Sequence, residues 1–105
     1  MDVVAEHRIE VLHPDGTIAR VHLRVGHPYP HPQGDYACRV SAEGLGGWGH
    51  PADICGVSSL HALLRGLGFL HRALAAAVER GAVLHWEGGK DVLTLDELFA
   101  PFRPG

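Results

Sequence analysis

The sequence predicts an α+β domain: an antiparallel β-sheet of three to five strands, opened by an N-terminal hairpin, with one long α-helix packed on one face. Three observations support this prediction. The first 25 residues alternate between apolar and polar side chains around a turn signal, residues 56–81 carry the signals of a single helix, and short strand-like segments lie on both sides of that helix. The length of 105 residues corresponds to one domain, residues 1–105.

The hairpin is predicted from two alternating segments, Val3–Leu12 and Thr17–Val25, that flank His13-Pro14-Asp15-Gly16. Proline, aspartate and glycine suit successive positions of a tight turn. If His13 pairs with Thr17, the residue numbers of every facing pair sum to thirty. Apolar residues then face each other on one side and opposite charges on the other, which favours this register. In this register His7 lies on the apolar face.

The segment between the hairpin and the helix holds two further strand predictions. Gly26–Gly34 contains three prolines, so we expect an extended connection and not a central strand. Asp35–Glu43 alternates and predicts a strand. Gly44–Gly49 is glycine-rich and predicts a flexible loop that carries Trp48, and Ala52–Val57 predicts a short strand that leads into the helix.

The helix has recognisable ends. Ser58 is the predicted N-cap, with Ser59 as the second choice, because the serine hydroxyl can accept a hydrogen bond from a free amide of the first turn. Gly81 is the predicted stop, because glycine adopts the left-handed conformation at little cost.

The helix is apolar around most of its circumference, with two distinct apolar surfaces. One surface is a leucine row: Leu60, Leu63, Leu67, Leu70, Leu74 and Val78. The other is a strip of small residues around one phenylalanine: Ala62, Gly66, Phe69, Ala73 and Ala77. We expect one face of the helix to cover the sheet and the small strip to meet something else, either the chain's own C-terminal tail or a second subunit. The candidate interface residues are Ala62, Gly66, Phe69 and Ala73.

The residues after the helix predict a short strand at Ala82–Trp86 and then a turn. Two alternatives remain for the C-terminal segment beyond that turn. Val92–Leu95 pairs back as a strand, or Thr94-Leu95-Asp96-Glu97 acts as a capping box and starts a helix over Leu95–Ala100. The tail side chains that would fold back onto the helix are Leu98, Phe99 and Phe102.

Composition limits the classes of partner. The formal net charge is −3 and the basic residues are scattered, so nothing favours nucleic acid. No apolar run reaches membrane length and no secretory leader is recognisable, so we expect a soluble cytoplasmic protein without a membrane partner. In that setting Cys38 and Cys55 are expected to stay reduced.

Three segments resemble a family of small uncharacterised bacterial proteins. They are Gly26-His27-Pro28-Tyr29-Pro30, Tyr36-Ala37-Cys38-Arg39-Val40 and Gly56-Val57-Ser58-Ser59-Leu60-His61-Ala62-Leu63. Ser58 stands where relatives have an acidic residue, and His61 where they have glutamine. The serine still caps a helix, so the fold expectation is unchanged. The resemblance implies no activity.

The nine histidines are the clearest compositional departure. Histidine is a common metal ligand, but no spacing matches a closed zinc site and there is no Cys-x-x-Cys pair. We therefore expect no metal site and no cofactor. No catalytic residue is predicted either, because both cysteines lie in apolar strand-like settings. Tyr29, Trp48 and His50 are the candidate ligand-binding residues; the alternative is that Trp48 simply pins its own loop.

The function that these observations favour is binding without catalysis, to another protein or to a second copy of the chain. The alternative is a protein that binds a small molecule or a metal through its histidine-rich loops. An enzyme is the third hypothesis, for which the sequence offers no signature.

Overall fold

A computed structural model describes residues 2–89 and 91–100. Within them the chain forms six strands, one long helix, a short second helix and a single 3-10 turn. The elements, in order, are β1 (Val3–Leu12), β2 (Ile18–Gly26), β3 (Tyr29–His31), β4 (Gly34–Glu43), the 3-10 turn (Gly46–Trp48), β5 (Ala52–Gly56), α1 (Ser59–Glu79), β6 (Val83–Trp86) and α2 (Leu95–Phe99).

All six strands belong to one antiparallel sheet. The order is β3-β4-β2-β1-β6, and β5 also pairs with β4. The predicted α+β fold is confirmed, with one strand more than the upper end of the predicted range. The additional strand is β3, which lies in the proline-rich connection and pairs with the first half of β4.

The predicted hairpin register is confirmed from Ala5 to Leu12, and a β-bulge shifts it at Val3, which faces Gly26. Ile9 faces Val21, Glu10 faces Arg20, and His7 faces Leu23. The turn closes through the amide of His13, which donates to the carbonyl of Thr17 at 2.8 Å. Asp15 reinforces the turn by accepting from the amide and the hydroxyl of Thr17.

Both predicted ends of α1 are confirmed. The Ser58 hydroxyl accepts from the amide of His61 at 3.1 Å. At the other end Gly81 has φ of +97°, the left-handed region in which a side chain would be strained. The amide of Ala82 then donates to the carbonyl of Ala77 and closes the end of the helix.

The face of α1 that covers the sheet differs from the expected one. The buried residues of the helix are Ala62, Gly66, Leu70, Ala73 and Leu74, so the small strip and not the whole leucine row packs on the sheet. The physical reason is close approach: a Cβ on Gly66 would lie 3.0 Å from Cγ1 of Val40 and 3.3 Å from Sγ of Cys38. Small side chains allow the helix backbone to lie directly against β4.

The C-terminal segment combines the two predicted alternatives. Val92 forms a single bridge to His85, and α2 starts three residues later. Thr94 and Glu97 form the complete capping box that the sequence indicates. The ring of Phe99 meets the ring of His71 with centroids 5.0 Å apart, so α2 folds back onto α1. Phe102 lies outside the described residues.

Candidate binding site

The helices leave part of one sheet face uncovered. Helix α1 lies mainly over β4 and β5, and α2 crosses beside it. An apolar groove of about 280 Å³ remains between these helices, the first half of β1 and the second half of β2. Its lining comes from four elements: Ala5, Glu6 and His7 of β1, Leu23 and Val25 of β2, Leu67 and Leu70 of α1, and Leu98 and Phe99 of α2.

One polar side chain in this apolar groove has an unsatisfied nitrogen. His7 faces Leu23 across the hairpin, and its Nε2 is buried without a hydrogen-bond partner among the described residues. The His7 ring meets the ring of Trp86 at nearly a right angle, with centroids 5.5 Å apart. A buried nitrogen without a partner costs about 1–3 kcal/mol, so this position is energetically unfavourable as the chain stands.

Apolar side chains continue from the groove onto the exposed surface of α1. Leu60, Leu64 and Leu67 follow the i, i+4, i+7 spacing of one helical stripe, and Leu67 lines the groove. Leu60 is 62% exposed and Leu64 is 43% exposed. Val57, just before the helix, is 72% exposed. Single exposed leucines are ordinary, but a stripe that leads into an apolar groove is a feature of interaction sites.

A polar cluster occupies the opposite face of the sheet. Arg39 donates to both carboxylate oxygens of Asp53, at 2.8 and 3.1 Å. This hydrogen bonding holds the pKa of Asp53 below its usual value and raises the pKa of Arg39. Partial burial, and then the neighbouring Asp53 carboxylate, raise the pKa of Tyr29. Arg39 is already paired, so this cluster has no free cation at its centre.

The three candidate ligand-binding residues do not come together. Tyr29 lies on the polar face, where its ring is 5.9 Å from that of His31. Trp48 packs on the helix side, with its ring 5.3 Å from the ring of Phe69. His50 is exposed in the loop that comes next. Trp48 therefore pins its own loop to α1, the alternative that the sequence left open.

The candidate interface residues are mostly covered within the chain. Ala62, Gly66 and Ala73 are buried against the sheet, and half-buried Phe69 lies under Trp48. Neither of the two expected covers, the tail or a second subunit, is needed for this strip. The tail residues Leu98 and Phe99 approach the leucine row instead, beside Leu67 and Leu70.

The cysteines and histidines do not assemble into a metal-binding set in the part of the chain that the structure describes. No group of three or more histidine, cysteine, aspartate or glutamate side chains is close enough there to hold a metal ion. Cys38 and Cys55 are both free. The buried Cys38 thiol donates to the carbonyl of Gly26 at 3.4 Å, and burial raises its pKa.

Sequence reasoning did not identify the apolar groove, although two signals of it were present. The hairpin register placed His7, a polar residue, on an apolar face, and apolar residues extended further around α1 than one sheet could cover. The position of α2 decides that a groove forms at this point, and that position depends on tertiary packing.

Comparison with known proteins identifies the family of the chain. The family described as "Domain of unknown function (DUF6968)" matches residues 5–96. The chain belongs to this family. No curated protein and no solved structure matches the chain. Residues 5–96 of this DUF6968 protein include all of α1 and most of the groove lining. Among its described residues, no helix is both long enough and apolar enough to cross a membrane.

Proposed function

We propose that this DUF6968 protein is a non-catalytic interaction domain of bacterial origin that binds another protein through the apolar groove and the exposed stripe beside it. The observation that carries the proposal is the continuity of the two surfaces through Leu67. Fully burying a leucine that was exposed contributes about 1.5–3 kcal/mol. Leu60 and Leu64 are 62% and 43% exposed, so burying them would contribute part of this free energy in addition to burial of the groove.

The residues around the groove favour binding over chemistry. Its lining is aliphatic or aromatic except for Glu6 and His7. Glu6 already accepts from Nε2 of His22 at 2.9 Å. A nucleophile–base pair with a third orienting group is not part of this lining. The bound protein is a different chain or a second copy, and the mass of the complex distinguishes the two.

Site-specific photocrosslinking in the cells that naturally make the protein tests the proposal. A benzophenone amino acid replaces Leu64 in one variant and Arg72 in a matched control; Arg72 is exposed on the polar side of the same helix. We expect a discrete adduct from position 64 and none from position 72. Mass spectrometry identifies the captured polypeptide. Failure of position 64 to give any adduct, together with a monomeric mass at every concentration in sedimentation, would refute the proposal.

A further inference from the structure

The strand β1 has an unpaired edge directly beside the apolar groove. Strand β6 pairs only with its second half, Ile9–Leu12. Along that same edge, residues 3–8 have no partner strand among residues 2–89 and 91–100. Alternate residues of an antiparallel strand direct both N–H and C=O toward the same edge. The first half of β1 therefore presents a row of unpaired backbone donors and acceptors.

The edge and the groove share the same residues. Ala5 and His7 belong to the unpaired half of β1, and both line the groove. A strand added at this edge would continue the line of β6 along β1. Every second side chain of that strand would point to the helix side, toward Leu98 and Phe99, because side chains alternate between the two faces of a sheet.

The charged side chains on the opposite face of β1 affect which partner strand can bind at this edge. Glu6 and Arg8 point away from the helices, and Glu6 is paired with His22. Arg8 is exposed and forms no ion pair with a described residue. A carboxylate of an incoming strand would pair with Arg8 at the end of this edge, where Glu87 and Gly88 of the turn after β6 line the same surface pocket.

We propose that the partner binds as an added antiparallel β-strand on residues 5–8 of β1, with apolar side chains in the groove and an acidic side chain opposite Arg8. This rests on the proposed interaction function and specifies the partner: an extended segment of alternating apolar and polar residues. Strand addition uses backbone hydrogen bonds for affinity and side-chain pockets for specificity.

The unpaired edge of β5 provides an internal comparison. Strand β5 pairs only with β4, so its outer edge is also unpaired in the described part of the chain. It is five residues long and its Asp53 is held by Arg39. The groove borders β1 and not β5. Binding at β1 alone would therefore show that the groove selects the site.

The test uses the full chain and a designed peptide, acetyl-Glu-Val-Lys-Val-Thr-amide, followed by amide NMR and hydrogen exchange. In the antiparallel register its glutamate faces Arg8 and its valines face His7 and Ala5. We expect the amides of residues 5–8 to shift and exchange more slowly at peptide concentrations up to about 1 mM. The amides of β5 should not change. The same peptide N-methylated at every residue should not bind, because it has no backbone donors.

A charge exchange makes the register testable. Arg8→Glu should weaken binding of the peptide by about threefold, as expected for an exposed ion pair. A peptide with lysine in place of glutamate should recover that loss in the variant. Equal shifts from the N-methylated peptide, shifts at β5 in place of β1, or no shift at all would overturn the strand-addition proposal. An adduct at Leu64 in the crosslinking experiment would leave the interaction function standing in each of these cases.

Discussion

Trp48 and Phe69 meet edge to face, with ring centroids 5.3 Å apart and an angle of 70° between the rings. This contact joins the glycine-rich loop after β4 to the middle of α1. It covers the only aromatic residue of the small strip. The loop is therefore part of the packed structure, although its sequence predicts flexibility.

Replacement of Trp48 tests this role. Trp48→Ala should lower the free energy of unfolding by about 1–3 kcal/mol, less than for a fully buried tryptophan because Trp48 is half-buried. Trp48→Phe should recover part of the loss, since it keeps a ring against Phe69. Urea unfolding measures both. An unchanged midpoint in Trp48→Ala would mean that the contact contributes no stability.

Substitution of two adjacent residues of β2 tests which face of the hairpin is buried. Val21 is 1% exposed and faces Ile9, whereas the Arg20 side chain is 92% exposed and lies 4.0 Å from Glu10. Val21→Asp places a charge in the core and should unfold the domain. Arg20→Glu should cost less than about 1 kcal/mol, because exposed ion pairs are weak. Circular dichroism and urea unfolding distinguish the outcomes, and equal effects would contradict the register.

Close approach of β5 to α1 depends on one glycine. A Cβ on Gly56 would lie 2.8 Å from Cα of Ala62, which is backbone and cannot move aside as a flexible side chain could. Gly56→Ala should therefore destabilise the fold by about 1–3 kcal/mol or more, the cost of overpacking. Gly47→Ala is the matched control, because a Cβ there meets nothing within 4 Å. A control variant that loses as much stability would show that loop glycines matter for another reason.

The unsatisfied nitrogen of His7 predicts a stabilising substitution. His7→Phe keeps an aromatic ring beside Trp86 and removes the buried Nε2, so the free energy of unfolding should rise by about 1 kcal/mol. His22→Phe is the contrasting variant, because Nε2 of His22 is bonded to Glu6 and that contact would be lost. Thermal or urea unfolding compares them. A loss of stability in His7→Phe would indicate that the imidazole has a partner after all.

The paired carboxylate of Asp53 predicts a pH-dependent contribution. Hydrogen bonds from Arg39 lower its pKa in the folded state. A depressed folded pKa means that the carboxylate stabilises the fold above the unfolded pKa of about 3.9. That stability is lost as the pH falls through the folded pKa. Asp53→Asn should therefore cost at most about 1 kcal/mol at neutral pH, because the pair is partly exposed.

The stability difference between Asp53→Asn and the native protein should depend on pH. The difference between Asp53→Asn and the native protein should shrink as the pH falls below about 4 and disappear below the folded pKa of Asp53. Asp35→Asn serves as control, since exposed Asp35 forms no ion pair with a described residue. Urea unfolding at several pH values measures both. A difference that stays constant through the acid range would exclude the Arg39 pair as its cause.

The sequence by itself determined the local elements of this protein. The turn at Pro14-Asp15-Gly16 specifies the hairpin, and the alternation of the flanking strands specifies its register, because a slip of one residue would turn every apolar side chain to the wrong face. The ends of α1 and the capping box of α2 are likewise set by neighbouring residues, through side-chain oxygens and the conformational freedom of glycine.

Only the tertiary structure decided which surface of α1 meets the sheet. The leucine row offers more apolar area, but Gly66 and its small neighbours allow a closer approach to Val40 and Cys38. Dense packing at short distance over the whole contact is favoured over larger side chains held further away. That choice leaves Leu60 and Leu64 exposed and positions Leu67 beside α2. The apolar groove, and with it the candidate site, results from this packing and from no single segment of the chain.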